Sequence, residues 1–325
     1  MTLRTAITFV CLLLTAACGT SSPSGPSGPE TDIPLSELGL ACPADILTES
    51  TVGGPAPTDF PQPSVAPGLP DGNFQCTPAS GAPFPIGINP VTCTATNIKD
   101  NPTCSFAVRV RRPATVRGTR YLAFGDSITE GFMALTPFLL TLDSSIAYPS
   151  RLDARLEERY RVQDFTVINA GIGGEDTNEG LNRIRRVIDS TRPDVILIFE
   201  GVNGLQRFND TGVAEHLRQM ISISKGRGLE VFIATLTPIS DSRERLRGGT
   251  RAKIDRVNVR IRRMADEMGV GPAVDLFEAF GDDRDLLGED GFHPSRLGQQ
   301  KIADEFFDAI AARLQNPDAF VPLTE

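Results

Sequence analysis

At 325 residues the chain is long enough for two domains, and its 40% hydrophobic content is that of an ordinary packed protein. The formal net charge of −9 argues against nucleic acid as a partner, because phosphate neutralisation needs clustered Lys and Arg. The arginines are interleaved with acids, as in Arg155-Leu156-Glu157-Glu158-Arg159, which describes a solvated helix face.

Residues 1–17 read as an export signal. Arg4 supplies the positive start, residues 6–14 an apolar run, and Thr15-Ala16-Ala17 a small-residue cleavage site. The run is too short to span a bilayer. Cys18 follows directly and opens a polar tether over 18–37, rich in Ser, Pro and Gly. This arrangement resembles a bacterial lipoprotein signal, with Thr15 where Leu is usual. The resemblance implies lipidation of Cys18, a membrane attachment through that lipid and a cell-envelope location. Simple secretion after cleavage at Ala17 is the alternative.

Four of the six cysteines, Cys42, Cys76, Cys93 and Cys104, fall within residues 38–112, and in an exported chain this implies two disulfides there. The same stretch is rich in Pro and Gly and carries short β-prone runs, as at 90–96 and 105–110, so a small disulfide-stapled β-sandwich is expected. The segments Phe74-Gln75-Cys76-Thr77, Phe84-Pro85-Ile86-Gly87, Val91-Thr92-Cys93-Thr94 and Cys104-Ser105-Phe106 resemble the hyalin-repeat (HYR) module. That resemblance implies an immunoglobulin-like fold used for adhesion or spacing, with a surface ligand and no chemistry. Through the module's likeness to sushi-type modules it also implies the pairing Cys42–Cys93 and Cys76–Cys104.

Residues 113–325 follow a different pattern. Apolar runs at 121–124, 165–168, 195–199 and 231–234, with a weaker fifth at 273–276, alternate with amphipathic stretches at 151–161, 177–189, 211–225 and 253–268. A last amphipathic stretch follows Pro294. Continuous apolar strands alternating with helices predict a parallel sheet of five strands covered on both faces, a three-layer α/β/α domain of flavodoxin-like architecture.

Ligand sites in such sheets lie beyond the carboxyl ends of the strands. The residues there are Gly125-Asp126-Ser127 after the first strand, Asn169-Ala170-Gly171 after the second and Glu200-Gly201-Val202-Asn203 after the third. Asp290-Gly291-Phe292-His293 lies beyond the fifth. Acyl transfer needs a nucleophile, a base held in one tautomer and donors for an oxyanion. Ser127 supplies the first, His293 the second with Asp290 as its orienter, and the amides of Ser127 and Gly171 with the Asn203 side chain the third. Taken singly, Ser127 and Asn203 are also good helix caps, Gly171 a turn former and Asp290 a turn cap or surface ion-pair partner. Their order and spacing resemble the GDSL/SGNH hydrolases, which implies a serine esterase or lipase built on that triad and oxyanion hole. Two positions depart from the family pattern: Ile128 replaces Leu, and Gly204 replaces an Asp.

His216 has no partner motif and is expected on a helix surface. Gly171-Ile172-Gly173-Gly174 is not a dinucleotide loop, because Asp176 replaces the third glycine. Asp282-Asp283-Arg284-Asp285 fails as a calcium loop at Leu287, and the expected cofactors and metals are none. The apolar residues 132–142 either wall an acyl groove or pack onto the sheet. The expected substrate is a short acyl or acetyl ester, a small molecule or a glycan. A lipid or long-chain acyl ester is the alternative, and an adhesion protein with an inactive hydrolase-like domain is the alternative of another class.

Overall fold

The computed structural model describes residues 40–65, 72–98, 100–247 and 249–316. The stretches expected to be an export signal and a tether, residues 1–17 and 18–37 with Cys18, lie outside the described residues.

The cysteine-bearing region forms one four-stranded sheet in the order Ile46–Glu49, Thr103–Arg111, Gly87–Ala95, Phe74–Thr77. Two further ladders of two residues each join Leu40–Ala41 to Ser64–Val65 and Ala56–Pro57 to Pro83–Phe84. The expected sandwich is thus one full sheet plus two short ladders. Its core is small: Phe60 packs edge-on against Phe106 at 5.0 Å and Phe84 at 6.4 Å, beside Val91, Val108 and Val110. A core of that size gains much from cross-links, each typically contributing about 2–4 kcal/mol.

The disulfides join Cys42 to Cys104 and Cys76 to Cys93, which corrects the expected Cys42–Cys93 and Cys76–Cys104 pairing. The strand order explains why. Cys93 stands in register with Cys76 on one neighbouring strand and with Cys104 on the other. Bridging Cys76 to Cys104 would cross two strand spacings, roughly 9–10 Å, beyond the roughly 7 Å limit between bridged Cα atoms. The observed separations are 4.0 and 5.7 Å.

The larger unit is built on a parallel sheet in the order Thr166–Gly171, Arg120–Gly125, Val195–Phe199, Glu230–Ile233. It holds four strands, not the five expected. The fifth apolar run contributes only one parallel bridge, Ala234 to Val274. Asp275 then accepts the Glu278 amide and turns the chain into the helix Leu276–Phe280 before a ladder can extend. All five residues of Val195–Phe199 are buried, as a sheet covered on both faces requires. The helices Tyr148–Arg159 and Arg296–Leu314 pack together, and Thr177–Thr191, Asp210–Lys225 and Thr250–Glu267 form a second group. Tyr148 stacks on Phe306 at 5.3 Å and meets Phe199 edge-on, which ties the first group to the sheet.

The two units touch through Glu49, whose carboxylate accepts the amide of Ala114 and pairs with Arg159 at 2.9 Å.

Residues 132–142 do not pack onto the sheet. They form an antiparallel hairpin, Phe132–Thr136 with Leu139–Leu142, whose tip residue Phe138 is 94% exposed.

Candidate active site

The nucleophile loop follows from close packing. An added Cβ at Gly125 would lie 2.1 Å from the carbonyl oxygen of Phe199, so only glycine lets the strand end pass so near its neighbour. Asp126 then caps the short helix Ser127–Glu130 by accepting the Ile128 amide at 3.0 Å. Because Asp126 takes the capping role, the Ser127 hydroxyl is left for another partner.

That partner is His293. Ser127 Oγ stands 3.1 Å from His293 Nε2, and His293 Nδ1 stands 2.7 Å from Asp290 Oδ2. The three residues are 6%, 6% and 8% exposed. Asp290 Oδ1 also accepts the amides of Phe292 and His293 at 3.1 and 3.0 Å, so the carboxylate orients ring and backbone together. Burial pushes the Asp290 carboxyl up, but the His293 hydrogen bond and charge with the two amides outweigh it and hold the group below the usual carboxylate range. Asp126 shows the opposite balance. Burial raises it to about 6 against the pull of the Ile128 amide and His293, with Glu175 adding to the rise.

The imidazole is placed by the last helix. Ser295 caps Arg296–Leu314 through the Gly298 amide. One turn on, the fully buried Gln299 donates to the Ile128 carbonyl at 3.1 Å and accepts the Tyr148 amide at 2.8 Å. Gln299 thus joins the histidine-bearing end of the chain to the nucleophile helix. Nothing in its sequence neighbourhood marked it, since a Gln in an amphipathic helix is usually a solvated residue.

The expected oxyanion donors fare differently. Asn203 follows the strand Val195–Phe199, and its side-chain amide donates to the Glu175 carbonyl at 3.0 Å. It makes no side-chain capping bond to the helix Gly204–Arg207. Gly171 departs from expectation: its amide already donates to Asn169 Oδ1 at 2.9 Å. The glycine there answers a steric need, since a Cβ would lie 2.2 Å from the Glu130 amide nitrogen on the nucleophile helix. Gly204, where an Asp is usual in the resembling family, is buried against Thr177 and Val213, whose side chains would have to give way to a Cβ there.

His216 is half-buried on the helix Asp210–Lys225, not solvated as expected. Its Nδ1 stands 2.9 Å from Thr177 Oγ1, and its ring meets Phe208 edge-on at 4.9 Å. A hydroxyl partner and an aromatic neighbour on adjacent elements are invisible to helical spacing. Among the described residues, no group of three or more His, Cys, Asp or Glu side chains gathers where it could hold a metal. At the base of the hairpin, the Phe132 ring lies 6.5 Å from the His293 ring.

Residues 123–301 match the model of the GDSL-like Lipase/Acylhydrolase family. An arylesterase of Vibrio mimicus is 36% identical over 122 residues, 37% of this chain and 56% of that protein, so the match spans little more than half of the relative's length. Thioesterase 1/protease 1/lysophospholipase L1 of Escherichia coli (strain K12) is 24% identical over 184 residues, 56% of this chain and 79% of that one. The crystal structure of a lipase/acylhydrolase from Enterococcus faecalis superposes with a TM-score of 0.52 at 25% identity, covering 60% of this chain and 97% of that one. With more than half of its residues matched by the family model, the chain belongs to the GDSL-like Lipase/Acylhydrolase family.

Proposed function

We propose that the protein is an exported serine esterase that hydrolyses carboxylic esters through Ser127, His293 and Asp290. The observation that carries this reading is the bonded line from Ser127 Oγ through His293 to Asp290, buried beyond the carboxyl ends of a parallel sheet. As Oγ attacks the ester carbonyl carbon, His293 Nε2 takes its proton, and the ionised Asp290 stabilises the imidazolium. The Ser127 amide and the second N–H of the Asn203 amide receive the carbonyl oxygen as it becomes anionic. The Gly171 amide donates to Asn169 Oδ1, which supports a reading with two donors rather than three. The imidazolium then gives its proton to the departing alkoxide, and a water repeats the sequence to free the acid.

A short acyl or acetyl ester, of a small molecule or a glycan, is the substrate class we favour, in keeping with the arylesterase relative. Longer acyl chains form a second reading, supported by the exposed hairpin leucines at 135, 139, 140 and 142 rooted beside His293. The full chain should turn over p-nitrophenyl acetate, and a fluorophosphonate should label Ser127 alone. No turnover and no label would instead support an adhesion protein with an inactive hydrolase-like domain. A p-nitrophenyl ester series would rank the two acyl readings by the chain length at which kcat/KM peaks.

For location we propose a lipid anchor on Cys18, with the HYR-like module as spacer. Wild-type protein should partition into detergent and lack a free α-amino group, and Cys18→Ser should move it to the soluble fraction. A soluble wild type starting at an unmodified Cys18 would refute the anchor.

A further inference from the structure

Behind the triad lie buried ionisable groups that the chemistry above leaves unused. Glu200 follows the strand Val195–Phe199 and is 1% exposed, and as a carboxylate neither of its oxygens has a hydrogen-bond partner among the described residues. Glu175 is buried beside it: a Cβ added at Gly180 would lie 2.9 Å from Glu200 Oε2 and 3.2 Å from Glu175 Oε1, so both carboxyls converge on one point. Arg183 grips Glu175 through two bonds of 2.5 Å. Its Nη2 also donates to the carbonyls of Ala170 at 2.8 Å and Gly125 at 3.3 Å, and the guanidinium lies 4.0 Å above the Phe124 ring.

These bonds reach every part of the site except the histidine loop. Gly125 stands two residues before Ser127, Ala170 one before Gly171, and the Glu175 carbonyl holds the Asn203 amide. The charges need an explanation, however. The groups facing Glu200 are Glu175, Asp126 and Arg183, so with Glu200 itself three acids share one base. Ionising all three acids would bury charge that Arg183 alone cannot offset, at a prohibitive cost in desolvation. Two carboxyls so placed can share a hydrogen bond only if one of them keeps its proton. Of the two glutamates, Arg183 holds Glu175, which leaves the proton to Glu200.

We infer that Glu200 is an uncharged carboxylic acid donating its proton to the Glu175 carboxylate, and that Glu175, Arg183 and Glu200 act as one positioning unit for Asn203 and the nucleophile strand. Burial, the charges of Asp126 and Glu175 and the bond to Glu175 all push the Glu200 carboxyl well above its ordinary range, against the pull of Arg183. None of the three touches the reacting atoms. The kinetic consequence rests on the esterase reading above, whereas the protonation of Glu200 does not.

The test compares wild type, Glu200→Gln and Glu200→Leu in the full chain. Infrared spectra at neutral pH should show the carbonyl stretch of a protonated carboxylic acid in wild type that is missing from Glu200→Gln. Stability gives the second readout. A group with a raised folded pKa contributes stability that is whole below its unfolded pKa and is lost as pH rises through the folded one. The Tm of Glu200→Gln should therefore gain on wild type as pH increases from about 4.5, the onset of ionisation of an unfolded Glu. In kinetics, Glu200→Leu should lower kcat on the order of 10–100-fold with little change in KM, as misplaced catalytic groups do. Gln, which keeps a donor of the same shape, should restore most of that loss. Absence of the acid band, or a Tm difference flat with pH, would overturn the protonated Glu200. Wild-type kcat in Glu200→Leu, or a loss confined to KM, would overturn the positioning role. Were wild type to lack esterase activity, the infrared and Tm readouts would still decide the proton.

Discussion

His293→Ala lowers kcat/KM by at least about three orders of magnitude, the usual scale for a lost triad member. In the proposed mechanism the ring accepts the Ser127 proton across 3.1 Å, and the chain's other histidine, His216, is bonded to Thr177 instead. An alanine leaves the hydroxyl without a base, while Asp290 keeps the amides of Phe292 and His293 and so preserves the loop. Circular dichroism should accordingly show an intact fold, and fluorophosphonate labelling of Ser127 should slow sharply. His216→Ala supplies the contrast. It removes a bond to Thr177 and an edge contact with Phe208, which costs stability, but it should lower kcat/KM less than about tenfold because it removes no group the chemistry uses. An inactive His216→Ala beside an active His293→Ala would sink the assignment.

Asn203→Ala lowers kcat on the order of 10²–10³-fold with KM little altered, the cost of one preorganised oxyanion donor. A side-chain amide has two N–H groups. One is spent on the Glu175 carbonyl, which holds the rotamer, and in the proposed mechanism the second meets the developing charge. With the Gly171 amide donating to Asn169, the proposed mechanism counts on two donors, which puts the expected loss toward the upper end of the range. Steady-state kinetics on p-nitrophenyl acetate with purified, folded variant would measure it. Turnover close to wild type would remove Asn203 from the site.

The two variants also show why the site was readable from sequence while its support was not. Ser127 and Asn203 are polar residues just past apolar runs, and a parallel sheet gathers its carboxyl ends at one edge whatever the details of packing, while Asp290 and His293 stood out as an acid three residues before a histidine. Glu175, Arg183 and Gln299 lie in loops or amphipathic helices, where a charged or amide residue is ordinarily solvated. Their roles come from what folds over them. Glu200 stood beside the expected donor Asn203 in the chain, yet its sequence position carries no sign that a second buried carboxyl faces it.

The alternation of apolar runs and amphipathic stretches determined the parallel sheet, because that pattern is stable only with both faces covered. The order and spacing of Ser127 and Asp290-x-x-His293 foretold the side chains that meet. The count of four clustered cysteines determined that there would be two bridges. Only the tertiary structure decided their partners, because pairing depends on which strands are neighbours and not on order along the chain. It alone ended the fifth strand at one bridge, where the Asp275 cap turned the chain into a helix. Register decided that Gly171 would close a strand against the nucleophile helix with its amide already taken. Contacts between residues distant in sequence are set by the packing of whole elements, and local pattern records only the faces those elements offer.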